Sequence, residues 1–107
     1  GLARCLRVYR SSRDSQYGAV RIRRNDYFVV EGDTVLAAEP DLVHGVCGTL
    51  SKLNLSAKAS VGLYCGEGLD PGVLPKLAER LRQGNEHLEV EQHYGGQRGC
   101  ALIISVE

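Results

Sequence analysis

The chain has 107 residues, 43% of them hydrophobic, with 13 basic and 13 acidic side chains and a formal net charge of zero. That length and composition fit one domain with one modest core and argue against disorder. No apolar run approaches the roughly 18 residues of a membrane span, and no signal-peptide pattern opens the chain. Methionine is absent and the chain starts at Gly1. It therefore reads as one domain over residues 1–107, a C-terminal fragment of a longer multidomain protein.

The neutral total hides a division. Residues 1–30 carry seven arginines against Asp14 and Asp26, and residues 31–107 carry six basic against eleven acidic side chains. A basic end can meet a phosphorylated ligand or an acidic partner surface, or can be strands with solvated arginines on their outer faces. Six aromatics and no overall basic excess argue against nucleic acid. Cys5, Cys47, Cys65 and Cys100 form no C-x-x-C pair, so reduced thiols and a cytoplasmic location are expected. Asn54-Leu55-Ser56 matches a glycosylation sequon, which has no meaning without secretion.

In chain order, Cys5–Tyr9 alternates as a strand, with Leu6 and Val8 on one face. Val20–Arg23 alternates apolar and charged, and Arg24-Asn25-Asp26 turns into Tyr27–Val30. Glu31-Gly32-Asp33 then turns the chain back into Thr34–Ala38, giving a small β-meander. From Pro40 the period becomes helical: Leu42, Val43, Val46, Leu50 and Leu53 share a face, with Pro40 in the first turn and Asp41 favourable at that end. Gly45 and Gly48 weaken this helix, and close packing against a sheet would explain them. Ala59–Tyr64 is a strand, and Cys65–Asp70 is a loop. Leu74, Leu77, Ala78 and Leu81 make one stripe of a helix that ends at Gly84-Asn85. Leu88–Glu91 alternates, Tyr94–Gly99 turns, and Ala101–Val106 is an apolar closing strand. Strand, helix, strand at this spacing predicts two parallel strands.

Two loops are candidate sites. Gly66-Glu67-Gly68 joins a strand to a helix N-terminus, where free N–H groups can cradle an anion. It lacks the G-K-[ST] of a P-loop and the spacing of G-x-G-x-x-G, so a plain tight turn is the competing reading. Tyr94-Gly95-Gly96-Gln97 has two glycines that let another backbone approach, with Tyr94 and Gln97 to hydrogen-bond at the tip; the plain alternative is a wide hairpin joining the last two strands. Both loops follow strands running the same way, so they are expected to meet on one rim. Catalytic constellations are thin. His44, His87 and His93 lack the spacing of H-E-x-x-H, and His44 with Cys47 would need distant Cys65, His93 or Cys100 to complete a metal site. Buried cysteines and exposed histidines are the simpler expectation. No catalytic residue and no metal site is assigned.

These loops carry a resemblance. Ser60–Asp70 reads S-V-G-L-Y-C-G-E-G-L-D, Leu88–Gln97 reads L-E-V-E-Q-H-Y-G-G-Q, and Ala101–Glu107 reads A-L-I-I-S-V-E. The sequence resembles the C-terminal domain of the bacterial fatty acid kinase ATP-binding subunit, the dihydroxyacetone-kinase-like (DAK phosphatase, YloV-type) family. Arg13-Asp14, Asn25-Asp26-Tyr27-Phe28 and Glu31-Gly32-Asp33 match its pattern more loosely. Cys65 stands inside the family's Y-G-E, and Arg98-Gly99-Cys100 replaces a proline-containing run.

The resemblance implies a non-catalytic domain that docks a DegV-like fatty-acid carrier, so that the full enzyme can phosphorylate the acyl group with ATP. ATP and Mg²⁺ would be held by an N-terminal domain, with no cofactor in this fragment. Tyr64, Gly66, Glu67, Gly68, Tyr94, Gly95, Gly96 and Gln97 would shape or form the docking rim. The alternatives are a small-ligand or anion-binding module at the glycine-rich loop, or a structural, dimerising domain; a homo-oligomer stays open. The expected fold is a mixed α/β (α+β) arrangement. It has a single-layer mixed β-sheet, a β-meander first half and a C-terminal βαβ-β unit, with two helices packed on the sheet.

Overall fold

Apolar residues at every second position form strands with one buried face, and the two helical stripes supply what covers that face. A computed structural model describes residues 3–107. The elements are β1 (Arg4–Arg10), β2 (Ser15–Tyr17), β3 (Val20–Ile22), β4 (Tyr27–Glu31), β5 (Thr34–Glu39), α1 (Leu42–Lys52), β6 (Ser60–Cys65), α2 (Val73–Gly84), β7 (Glu89–Tyr94) and β8 (Leu102–Val106). Six strands form one mixed sheet in the order β5-β4-β1-β8-β6-β7. Every pairing is antiparallel except β6–β7, which is parallel across α2 as the spacing requires. The mixed fold and its two packed helices are as expected.

Leu6, Val8, Val61, Leu63, Leu102, Ile104 and Val106 point to one face of the sheet, where they bury Leu42, Val46 and Leu50 of α1 and Leu74, Leu77 and Leu81 of α2. The alternate residues Cys5 and Arg7 are exposed on the other face. No helix is long and apolar enough to cross a membrane.

Three details differ from the sequence reading. First, Val20–Ile22 does not join the meander; it pairs with β2 in a separate two-stranded sheet, with Ile22 wholly buried. The hairpin is held at its base by the motif aspartates. Asp14 accepts the Arg24 N–H at 2.8 Å and Asp26 accepts the Arg23 N–H at 2.9 Å. Short strands with a polar outer face carry little periodicity, which hid β2.

Second, the last two strands are not a hairpin. β8 passes over β6 and enters between β6 and β1, because its unbroken apolar alternation suits the middle of the sheet, while Glu89 and Glu91 suit β7 to the edge. Third, Pro40 precedes α1 instead of entering its first turn. Asp41 is the N-cap, its carboxylate accepting the His44 N–H at 2.8 Å. Gly45 is the close approach, since a Cβ there would lie 3.2 Å from Cβ of Glu39 at the end of β5; Gly48 faces open space. Of the cysteines only Cys65 is fully buried, and Cys5 is exposed.

Arg4 clamps β1 to β4 by donating from Nε and Nη2 to the Glu31 carboxylate at 2.8 and 2.6 Å. That bidentate bond holds the Glu31 carboxyl below its ordinary range. A depressed carboxyl contributes stability above its unfolded pKa and loses it as pH falls through the folded value. Acid melts should therefore show a stability loss below about pH 4 that is smaller in Glu31→Gln. Urea unfolding should show that Ile104→Ala costs about 2–5 kcal/mol, and Ile103→Ala, one residue along on the half-covered face, clearly less.

Candidate functional site

The two glycine loops meet at one end of the sheet, where β6 and β7 finish and β8 begins. Four backbone bonds close them on each other. Gly66 N–H donates to Ala101 O at 2.8 Å and Glu67 N–H to Gln97 O at 2.9 Å, while Gly95 and Gly96 N–H both donate to Cys65 O at 3.0 and 2.9 Å. The Gln97 side-chain amide adds a fifth bond, donating to Tyr64 O at 2.8 Å. The Cys65 thiol, raised in pKa chiefly by burial, donates to Leu69 O at 3.4 Å and stays protonated.

This geometry divides the eight predicted positions. Gly66 is required because a Cβ would strike the carbonyl oxygen of Cys100 and lie 2.9 Å from that of Ala101. Gly95 is required because Oε1 of Gln97 occupies the Cβ position, and Gly96 adopts a φ of +67°. Gln97 itself turns inward, so its amide fastens the rim and does not project from it. The Tyr64 ring lies on the open sheet face, stacked on His93 with centroids 4.7 Å apart. What projects is Tyr94, 67% exposed, together with Glu67 and the open backbone of Gly68.

Sequence reasoning missed three residues here. Arg98, whose side chain is 89% exposed, pairs with Glu67 at 3.1 Å. Arg10 and Tyr27 line a cleft of about 230 Å³ with Gly68, Leu69, Gly99, Cys100 and Ala101. The Arg10 guanidinium sits 5.7 Å from the centroid of the Tyr27 ring. β1 ends and β4 begins at this end of the sheet, so the β2–β3 hairpin between them carries Arg13, Arg21, Arg23 and Arg24 to the same side, all exposed. The only signal for this in the sequence was the arginine excess before residue 31.

The arrangement is poorly suited to cradling an anion, because the N–H groups of Gly66 and Glu67 are spent on carbonyls. The Gly72 N–H, before the first turn of α2, is taken by the Asp70 carboxylate at 3.0 Å. Among the described residues no three His, Cys, Asp or Glu side chains gather as a metal site. A rigid, exposed, charged surface is what the rim offers.

The profile of the FakA-like C-terminal family, the C-terminal domain of fatty acid kinase, matches residues 3–107. An uncharacterized protein of Staphylococcus epidermidis is 26% identical over 95 residues, which are 89% of this chain and 17% of that protein. A protein of Burkholderia ambifaria named nucleotide-binding protein is 39% identical over 46 residues, 43% of this chain and 15% of that protein. The chain thus spans about a sixth of the length of the curated relatives it matches.

Alanine at Gly66 should cost about 1–3 kcal/mol or more in urea unfolding, since a carbonyl must move, whereas Gly68→Ala should stay within about 0.5 kcal/mol of the parent. Gln97→Ala should cost about 1 kcal/mol by losing the bond to Tyr64 O.

Proposed function

The chain belongs to the FakA-like C-terminal family of fatty acid kinase, and from that premise we propose that it is a non-catalytic docking domain for a DegV-like fatty-acid carrier. In this reading the longer protein holds ATP and Mg²⁺ in another domain. The carrier presents a fatty acid whose carboxylate attacks the γ-phosphorus, giving an acyl phosphate and ADP. This domain supplies binding energy and orientation, which bring the two reactants together without chemistry of its own.

The observation that supports the reading is the rim: a backbone locked by five hydrogen bonds with Tyr94, Glu67 and Arg98 projecting from it. Tyrosine and arginine on a rigid base are the side chains that most often dominate interfaces. An exposed ion pair such as Glu67–Arg98 contributes little in the free domain, so Arg98 can exchange Glu67 for a partner carboxylate at small cost. The adjoining Arg10 cleft and the arginine-bearing hairpin extend a positive surface, so an acidic carrier surface is the matching chemistry.

Calorimetric titration of the chain with its carrier tests this. Arg98→Glu should weaken binding at least tenfold, about 1.4 kcal/mol, and added salt should weaken the parent complex. Lys52→Glu, the same charge change at the end of α1 on the far end of the sheet, should leave affinity unchanged. Parent-like affinity for Arg98→Glu would remove the rim from the interface.

A further inference from the structure

β7 is an edge strand of six residues, five of them exposed, and its outer side is bare. Glu89 and Gly95 donate their N–H groups inward to Ala59 O and Cys65 O, at 3.4 and 3.0 Å. Strand alternation then turns the N–H and C=O groups of Val90, Gln92 and Tyr94 outward. One of these groups, Val90 O, is met by a side chain, the Arg82 guanidinium at 2.9 Å, which leaves a second lone pair free. Such a row of unsatisfied groups is a template for another strand. The opposite edge differs, since β3 packs against β5 there.

We propose that β7 pairs antiparallel with β7 of a second copy about a two-fold axis at Gln92, making one continuous twelve-stranded sheet. This register sets Gln92 opposite its own counterpart and Val90 opposite Tyr94 of the second copy, so all the outward backbone groups bond in pairs. On the helix-covered side it joins a β-branched residue to an aromatic one, a favourable cross-strand pair. On the open side it sets Glu91 opposite His93 of the second copy, and the reverse, at the positions where facing side chains come closest. Within one copy Glu91 and His93 already touch at 3.2 Å, so acceptors and donors would alternate around the axis. Glu89 falls opposite Gly95, where nothing opposes it.

The sequence selects this register. A slip of one residue turns the bonded groups away from each other. A slip of two sets either Glu91 against Glu91 or His93 against His93. The contact is isologous, as a two-fold dimer requires. It uses neither Arg98 nor Glu67, so it stands or falls independently of carrier docking.

Sedimentation equilibrium of the 107-residue chain, from about 10 μM to about 1 mM, tests it over the range in which small interfaces populate. The expected result is reversible doubling of the 11.6 kDa mass. Gln92→Pro removes an outward N–H that β6 does not use and should raise the dissociation constant at least tenfold. His93→Glu, an exposed change that decides the matter should the proline variant misfold, should do the same by facing carboxylates across the axis. Combining it with Glu91→Lys should restore association. A monomer throughout the range, or a dimer indifferent to both changes, would overturn the proposal. So would a strand of some other protein occupying β7 in place of a second copy.

Discussion

β8 hydrogen-bonds β1 on one side and β6 on the other, and the two halves of the sheet meet nowhere else in the backbone ladder. Without it, β1, β4 and β5 form an antiparallel sheet of three strands, and β6 with β7 forms a parallel pair too small to stand alone. Its residues Leu102, Ile104 and Val106 are buried and complete the face that both helices cover. The closure extends to the last residue, where Ser60 and Glu107 exchange backbone bonds at 2.9 and 3.0 Å. Folding must therefore wait for the final strand, which makes the domain rich in long-range contacts.

The same strand organises the rim. Because β8 must cross over β6 to reach its slot, its approach segment runs directly beneath the β6–α2 loop. Ala101 turns its carbonyl to Gly66 and its N–H to Val8 O at 2.9 Å. The glycines are there to let those backbones touch, so their matching to the family pattern reflects geometry more than contact with a partner. Order in the free domain reduces the entropy cost of association. The exposed side chains that remain are few and charged, and the arginines of the β2–β3 hairpin lie on the same end.

Much of this was legible in the residues. Leu74, Leu77, Ala78 and Leu81 marked α2, and the alternation of Ala101–Val106 marked β8, because apolar period reports burial directly. The meeting of the Gly66 and Gly95 loops followed from parallel strands. Strand order did not. Alternation tells which face of a strand is buried, and says nothing about its neighbours, so a hairpin and a crossover looked alike after Tyr94. β2 was too short to show a period. Gln97 read as a tip donor, since nothing in the sequence reveals that its amide turns back to Tyr64 O. Arg10 reached the rim through the sheet topology, which the arginine count alone could not supply.

The central claim is that the glycine rim and β8 form one cooperative unit. Native-state amide hydrogen exchange tests it residue by residue. The amides of Gly66, Glu67, Gly95 and Gly96 should open with the same free energy as those of Leu102–Val106, close to that of global unfolding. Rim amides that exchange orders of magnitude faster than β8 would contradict it, and would make the rim a mobile loop pair resting on an independently stable sheet.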